Sequence, residues 1–149
     1  MLRIRNFKQN EKGSTLVEYA IGASVFLMAV FAVLEFGRVL WVHNALSDAA
    51  RQGARYAVLN LSNGEDGNIK NLVVYGKTSG GTKPIVPGLT TNMVQISRSS
   101  DFSVNAGTAT VKITGYQFQF VLPFLPNSIK MPEYSTTLTG ESAGIIPNP

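Results

Sequence analysis

The sequence predicts an α+β fold in which a long N-terminal helix packs on a small antiparallel β-sheet. An almost unbroken apolar run extends over residues 16–34 and leads into a second helical stretch that ends near Leu59. The rest of the chain carries short stretches of alternating apolar and polar residues between segments rich in glycine, serine and asparagine. Such alternation is typical of strands, and a helix laid on one sheet face is the economical way to bury both.

The positive charge of the chain is concentrated at its N-terminus. The 149 residues have a formal net charge of +4 at pH 7. Of this, +3 lies within the first thirteen residues, where Glu11 opposes the four basic residues Arg3, Arg5, Lys8 and Lys12. No basic patch remains to neutralise a phosphate backbone, so we do not expect nucleic acid as a partner.

The composition offers little for catalysis or metal binding. The chain has no cysteine and one histidine, His43, so thiolate chemistry is excluded and a histidine metal cluster or triad is not expected. The triplet Gly76-Lys77-Thr78 resembles the end of a phosphate-binding loop, but Asn71 occupies the earlier glycine position that such a loop requires. We expect no catalytic residues, no metal site and no cofactor, and the sequence predicts that the protein is not an enzyme.

The apolar run is long enough to cross a membrane. Its only charge is Glu18, and about twenty helical residues span a bilayer core. The basic leader, residues 1–13, precedes the run, and no basic residue follows it until Arg38, so the leader should stay in the cytoplasm while the rest crosses. A removable secretory signal is the weaker alternative, because its apolar core is shorter and ends in a small-x-small cleavage site.

The helix is predicted to continue past the membrane. Residues 14–36 form the transmembrane half and residues 37–60 a projecting amphipathic half, with polar and apolar residues on opposite sides. On the apolar side, small residues stand four apart at Ala45, Ala49, Gly53 and Ala57. Such a ridge admits close helix packing. Its partner is the chain's own sheet, which we favour, or a helix of another subunit.

Residues 61–149 are predicted to form a β-rich globular domain. Strands are expected at residues 72–75, 93–97, 109–121 and, as an edge strand, 134–139. Within the longest stretch the parity of the apolar residues changes at Gly115, which predicts a bulge or a junction of two strands. Pro123 and Pro126 are expected to end that stretch. The sequence of the central segment, residues 63–91, does not indicate a function for it.

The junction between leader and helix carries a specific motif. Gly13 closes the leader, Ser14 follows, and Glu18 and Tyr19 stand fifth and sixth after the boundary. This arrangement resembles type IV pilin-like precursors, whose basic leader ends in glycine and whose mature helix carries glutamate at its fifth position. The Glu-Tyr pair resembles the Flp/Tad (tight adherence) branch. A plain signal anchor, with Glu18 in the headgroup region, is the alternative.

Further segments resemble the TadE-like family of Tad minor pseudopilins. They are Glu35-Phe-Gly-Arg38, Asn44-Ala-Leu46, residues 49–57, Val111-Lys-Ile-Thr114 and Leu138-Thr-Gly-Glu-Ser-Ala143. Major Flp pilins are much shorter and largely helical, so the chain does not resemble the bulk fibre subunit. The resemblance implies a pilin-like fold and a role in priming or capping a Tad-type pilus or secretion apparatus.

The resemblance also implies a location, a processing step and partners. A prepilin peptidase would cut between Gly13 and Ser14. The chain would lie in the bacterial inner membrane with a cytoplasmic N-terminus and a periplasmic C-terminal domain, and reach the pilus or cell surface after assembly. Its partners would be other Tad pilins and minor pseudopilins, in homo- or hetero-oligomers formed through the N-terminal helix.

Local physical chemistry gives Glu18 a purpose in that setting. Cleavage would leave an α-amino group on Ser14 that is mostly protonated at neutral pH, at a helix N-terminus whose dipole disfavours positive charge. Glu18, one turn away, can compensate its own amine or that of a staggered neighbour. Pairing between subunits in a low dielectric would set their axial register, because a mismatched neighbour leaves both charges unpaired.

The second functional hypothesis is a binding module. In this alternative the chain stays unprocessed and anchored by its single transmembrane helix, and its exposed sheet contacts a periplasmic or extracellular ligand.

Overall fold

The computed structural model describes residues 11–60, 63–99, 107–122 and 127–140. Two helices, two short 3₁₀ helices and five strands follow one another in the order α1 (Glu11–Leu59), Asn63–Glu65, α2 (Asp66–Tyr75), Thr91–Met93, β1 (Val94–Arg98), β2 (Thr108–Ile113), β3 (Gln117–Gln119), β4 (Ser128–Lys130) and β5 (Tyr134–Thr139). A long apolar helix followed by small antiparallel sheets confirms the α+β class. The chain divides into two compact units between Gly37 and Arg38.

Helix α1 ends where the sequence predicts and begins earlier. Its last residue is Leu59, and the next residue caps it, because the backbone and side-chain nitrogens of Asn60 donate hydrogen bonds of 3.1 and 3.0 Å to the Tyr56 carbonyl. Its first residue is Glu11 rather than Ser14, so the last three leader residues are helical. The rest of the leader lies outside the described residues.

The strands of the unit after Gly37 form two small antiparallel sheets. In the first, β2 lies between β1 and β5, with Val111 opposite both Ile96 and Thr136. The edge position and bounds predicted for β5 are confirmed, and β1 is shifted from its prediction by one residue. Strands β3 and β4 form the second sheet. The sequence analysis does not predict β4.

The predicted break at Gly115 is a junction of two strands in different sheets. Gly115 adopts a φ of +74°, which favours glycine because a Cβ is strained there. The predicted 109–121 stretch is therefore β2 and β3 joined by a turn. Pro123 and Pro126, which were expected to end it, lie outside the described residues.

The strand predicted over residues 72–75 is wrong, because these residues form the last turn of α2. Ile69, Val73 and Val74 are buried at helical spacing, whereas the run of residues 72–75 by itself does not distinguish a strand from a buried helix. Gly76 ends α2 with a φ of 71°, and its N–H donates to the Leu72 carbonyl at 2.9 Å. The central segment therefore contains a helix, and the region after α1 is not purely β.

An ion pair joins α2 to the first sheet. The Arg98 guanidinium at the end of β1 lies 2.6 Å from the Asp66 carboxylate in the first turn of α2. The carboxylate is also well placed for the positive end of the helix dipole.

The core of the second unit lies between α1, α2 and β2. The ridge of small residues on α1 lets these elements approach one another. A Cβ added at Gly53 would lie 2.5 Å from Val73 Cγ2 and 3.2 Å from Val111 Cγ1. Both valines are fully buried and stiff at χ1, so neither can yield cheaply. Glycine at this position therefore lets α1 contact α2 and β2 directly.

We expect Gly53→Ala to destabilise this unit. Overpacking costs about 1–3 kcal/mol, which outweighs the gain in helix propensity of up to about 1 kcal/mol. Thermal unfolding of the full chain in a mild detergent, followed by near-ultraviolet circular dichroism, measures the change.

Gly67→Ala is the matched control, since Gly67 lies in α2 with no atom within 4 Å of an added Cβ. The midpoint of thermal unfolding of Gly67→Ala should not fall. Adding Val73→Ala to the Gly53→Ala variant should restore part of the midpoint that Gly53→Ala loses. Equal midpoints for Gly53→Ala and the wild type would contradict the packing account.

Candidate functional site

The N-terminal half of α1 exposes an apolar surface along its whole length. From Gly13 to Leu34 every residue is exposed except Ala23, which is half-buried. Leu16, Phe26 and Val33 are 70%, 67% and 71% exposed. Soluble monomers rarely leave a contiguous apolar surface of this kind in water. By length and composition α1 can cross a membrane, which indicates a single-pass anchor.

A polar side chain within this surface is satisfied locally. The Ser24 hydroxyl donates a hydrogen bond of 2.7 Å to the Ala20 carbonyl one turn earlier. This bond satisfies a hydroxyl group that would otherwise be costly to place in hydrocarbon. The segment is thus compatible with an apolar environment on all sides.

Gly13 and Ser14 lie in the first turn of α1, and both are exposed. A Cβ added at Gly13 would meet nothing within 4 Å, so the chain itself leaves room for another molecule to approach this peptide bond. The bond is helical, and a peptidase would need to unwind the turn before cutting it. Gly13 lowers the cost of unwinding here, because glycine is a poor helix former.

Glu18 and Tyr19 are exposed one turn further along. Glu18 stands four residues after Ser14, so the two share one side of the helix. Within the described part of the chain the Glu18 carboxylate makes no ion pair. A charge-compensating partner in an apolar environment would therefore have to come from a new N-terminus or from another molecule.

The ridge of small residues lies mainly inside the protein's own core. Ala49, Gly53 and Ala57 are buried, and Ala45 is half-buried. The ridge contacts α2 and β2 at Gly53. Packing on the chain's own fold, the partner favoured from the sequence, is what the structure shows at Gly53, and a helix of another subunit could contact little of the ridge beyond Ala45.

A cleft that the sequence analysis missed lies within the second unit. Its volume is about 560 Å³, and residues from α1, β3 and the segment after β3 line it. The Arg38 guanidinium lies 5.2 Å from the centre of the Phe118 ring, a cation–π contact. Phe118 in turn meets Phe120 edge-on, with ring centres 5.2 Å apart. The alternating aromatic residues at 116, 118 and 120 are the feature of the sequence that could have indicated this cleft.

The chemistry of this cleft is that of a contact surface. Its titratable lining groups among the described residues are Arg38 and Tyr116. The Tyr116 hydroxyl donates to the Pro87 carbonyl at 2.9 Å. Burial raises the pKa of Tyr116, and the nearby charge of Arg38 partly opposes the rise.

The comparison with protein families identifies the N-terminal part of the chain. Residues 13–55 match the family model described as TadE-like protein. This region is similar to TadE-like proteins. The match contains Gly13, Ser14, Glu18 and Tyr19, and it confirms the family resemblance found in the sequence. Neither a curated protein nor a solved structure matches the chain.

The family match also bears on the function of the protein. The similarity covers residues 13–55 of the 149-residue chain, and it is a similarity to a family of Tad pilus-related proteins. A membrane and other pilins fit as partners of the exposed apolar helix. The resemblance in β2 and β5 lies beyond the matched residues and stays a prediction, and residues 141–143 of that motif lie outside the described chain.

We expect the double substitution Leu27→Arg/Phe31→Arg to release the full chain from membranes. Each arginine at the centre of a span costs about 2.5–3.5 kcal/mol, and both positions are exposed in the middle of the apolar surface. Alkaline extraction of membranes, followed by blotting of pellet and supernatant, measures retention.

The double variant Gln52→Arg/Leu59→Arg is the control, because it adds the same charge to exposed positions in the C-terminal half of α1. It should remain in the pellet. Retention of Leu27→Arg/Phe31→Arg at the wild-type level would show that another segment anchors the protein.

Proposed function

We propose that the protein is a minor pseudopilin that a prepilin peptidase processes between Gly13 and Ser14, and that it acts in assembling a Tad-type pilus or secretion apparatus. The TadE-like match across residues 13–55 carries this proposal. The exposed position of both residues of the scissile bond supports it.

Before assembly the protein is held in the bacterial inner membrane by a single pass. Residues 1–13 form the cytoplasmic leader, residues 14–36 the transmembrane half of the helix and residues 37–60 its projecting half. Residues 61–149 form the periplasmic domain. The excess of basic residues in the leader supports this orientation.

In assembly, other helices replace lipid around the exposed half of α1. Lipid tails and apolar side chains are about equally apolar, so the exchange depends on packing and on polar contacts between helices. A surface of large side chains on every side of α1 suits a bundle in which several neighbours surround one helix. The folded unit after Gly37 would then limit which subunits can stand beside it, as expected for a priming or tip subunit.

Glu18 sets the axial register between the helices of neighbouring subunits in this assembly. The new Ser14 amine and the Glu18 carboxylate of a staggered neighbour are opposite charges at the edge of an apolar bundle. Their pairing is retained at one axial offset only, because any other leaves both unpaired in a low dielectric. Glu18 is exposed on the side of the helix that carries Ser14, which supports a role in pairing with the amine that cleavage would create.

We expect Glu18→Gln and Glu18→Ala to be cleaved normally and to be lost from filaments. Removing one partner of a buried ion pair costs about 3–5 kcal/mol, which corresponds to a reduction in incorporation of at least about a hundredfold. Glu18→Asp keeps the charge and should incorporate partly. Immunoblots of sheared filaments measure incorporation, and intact mass measures cleavage.

Intact mass of the wild-type chain, from hosts with and without the prepilin peptidase, is the control. A chain that begins at Ser14 only when the peptidase is present supports processing. A full-length chain in both hosts would favour the alternative of an unprocessed, membrane-anchored binding module. Filaments that contain wild-type amounts of Glu18→Gln would contradict the role of the charge.

A further inference from the structure

The unit after Gly37 also exposes apolar side chains, and most belong to one surface. Its exposed large hydrophobic residues, within the described ranges, are Leu40, Trp41, Leu59, Val121 and Ile129. Trp41 and Val121 line the same cleft. Ile129 is paired across the β3–β4 ladder with Phe118, another residue of that cleft. We call Trp41, Val121 and Ile129 the hairpin surface.

Two contacts define the direction in which β3 runs along α1. His43 Nδ1 and the Tyr134 hydroxyl are hydrogen-bonded at 2.9 Å, and Tyr134 pairs with Ile113 at the end of β2. Five residues earlier in α1, Arg38 lies over Phe118 in β3. A step of about 7.5 Å towards the N-terminus of the helix therefore leads from the end of β2 to the middle of β3.

Val121 lines the same cleft as Arg38. It follows β3 by two residues and is 75% exposed. The hairpin surface is thus at the end of this unit where α1 enters it. The apolar run of α1 ends at Leu34, four residues before Arg38, so this end of the unit is the one that the proposed membrane span precedes in the chain.

We propose that the hairpin surface contacts the lipid headgroup region of the bilayer that α1 spans, as a second membrane contact made by the folded unit. The proposal rests on the single-pass anchoring in the proposed function. Covalent continuity with the span favours lipid as the occupant, because only three helical residues, Glu35 to Gly37, separate the end of the apolar run from Arg38.

The side chains fit the headgroup region. Tryptophan prefers this layer, where its ring is apolar and its N–H finds a polar partner. Arg38 can keep its stem against apolar groups and its charge in the headgroups. Lys130, exposed on β4 opposite Gln117, adds a second positive charge that anionic lipids attract.

The backbone of the hairpin limits the depth of this contact. In the two-stranded sheet, each strand has one edge without a strand partner among the described residues. Unpaired N–H and C=O groups are costly in hydrocarbon and are satisfied by water and headgroups. The hairpin surface therefore lies at headgroup level and does not enter the bilayer core.

Single cysteines in the full-length chain test this proposal, because the natural sequence has none. The variants Val121→Cys and Ile129→Cys carry an environment-sensitive fluorophore. Each is placed as one copy in a nanodisc of phosphatidylcholine with phosphatidylglycerol. Quenching by lipids that carry a nitroxide near the headgroup is compared with quenching by a water-soluble ion. Leu59→Cys is the matched control, since Leu59 is an exposed apolar residue of the same unit.

We expect several-fold stronger lipid quenching at Val121 and Ile129 than at Leu59. A label at Phe31→Cys reports the span itself. Lipid quenching at Phe31 with none at Val121 and Ile129 would overturn this proposal alone. Lipid quenching at none of the four positions would overturn the single-pass anchoring and, with it, the proposed function. Protection of Val121 from the aqueous quencher that appears only when two copies share a nanodisc would assign the surface to a neighbouring subunit and overturn the lipid contact.

Discussion

The apolar surface of the N-terminal half of α1 is the constraint on which the rest of the account depends. A helix with large exposed side chains along residues 16–34 is not stable in water as a separate element, because propensity contributes little without burial of an apolar face. In the proposed function, lipid covers this surface in the membrane and other helices cover it in an assembly. The two environments are similar in polarity, so a change from one to the other requires no refolding of the helix.

In the proposed assembly, one carboxylate within this surface gives the exchange of lipid for other helices its specificity. Apolar contacts alone do not choose an axial position, since sliding one smooth apolar helix past another changes buried area little. A charge that must meet an opposite charge chooses one. Glu18 is therefore costly in the isolated chain and useful in the assembly, which is the usual status of an ionisable residue in a membrane segment. In the second half of α1 the corresponding constraint is steric, and Gly53 meets it by admitting Val73 and Val111.

Local signals in the sequence were sufficient for part of the fold and failed where distant segments meet. Uninterrupted helical periodicity predicted the end of α1. The change in parity of the apolar residues at Gly115 marked the junction of β2 and β3. Helix α2 was not predicted, because the apolar run of residues 72–75 was considered apart from the helical turn that precedes it. Strand β4 has only three residues, all exposed, so its alternation is too short to detect. The cleft was missed because α1 and β3 are far apart in the chain. For the candidate site, spacing placed Glu18 one turn from Ser14, but no single chain contains its proposed partner.

The most direct test of the central claim is the distance between the two charges in an assembled filament. Filaments are prepared in which this chain carries ¹⁵N and all other subunits carry ¹³C, and solid-state NMR measures transfer from the Ser14 amine nitrogen to glutamate carboxyl carbons. The account predicts a contact within about 4 Å, the range of an ion pair, between differently labelled subunits. Filaments in which the chain retains residues 1–13, or in which the Ser14 amine contacts no carboxylate of another subunit, would contradict it.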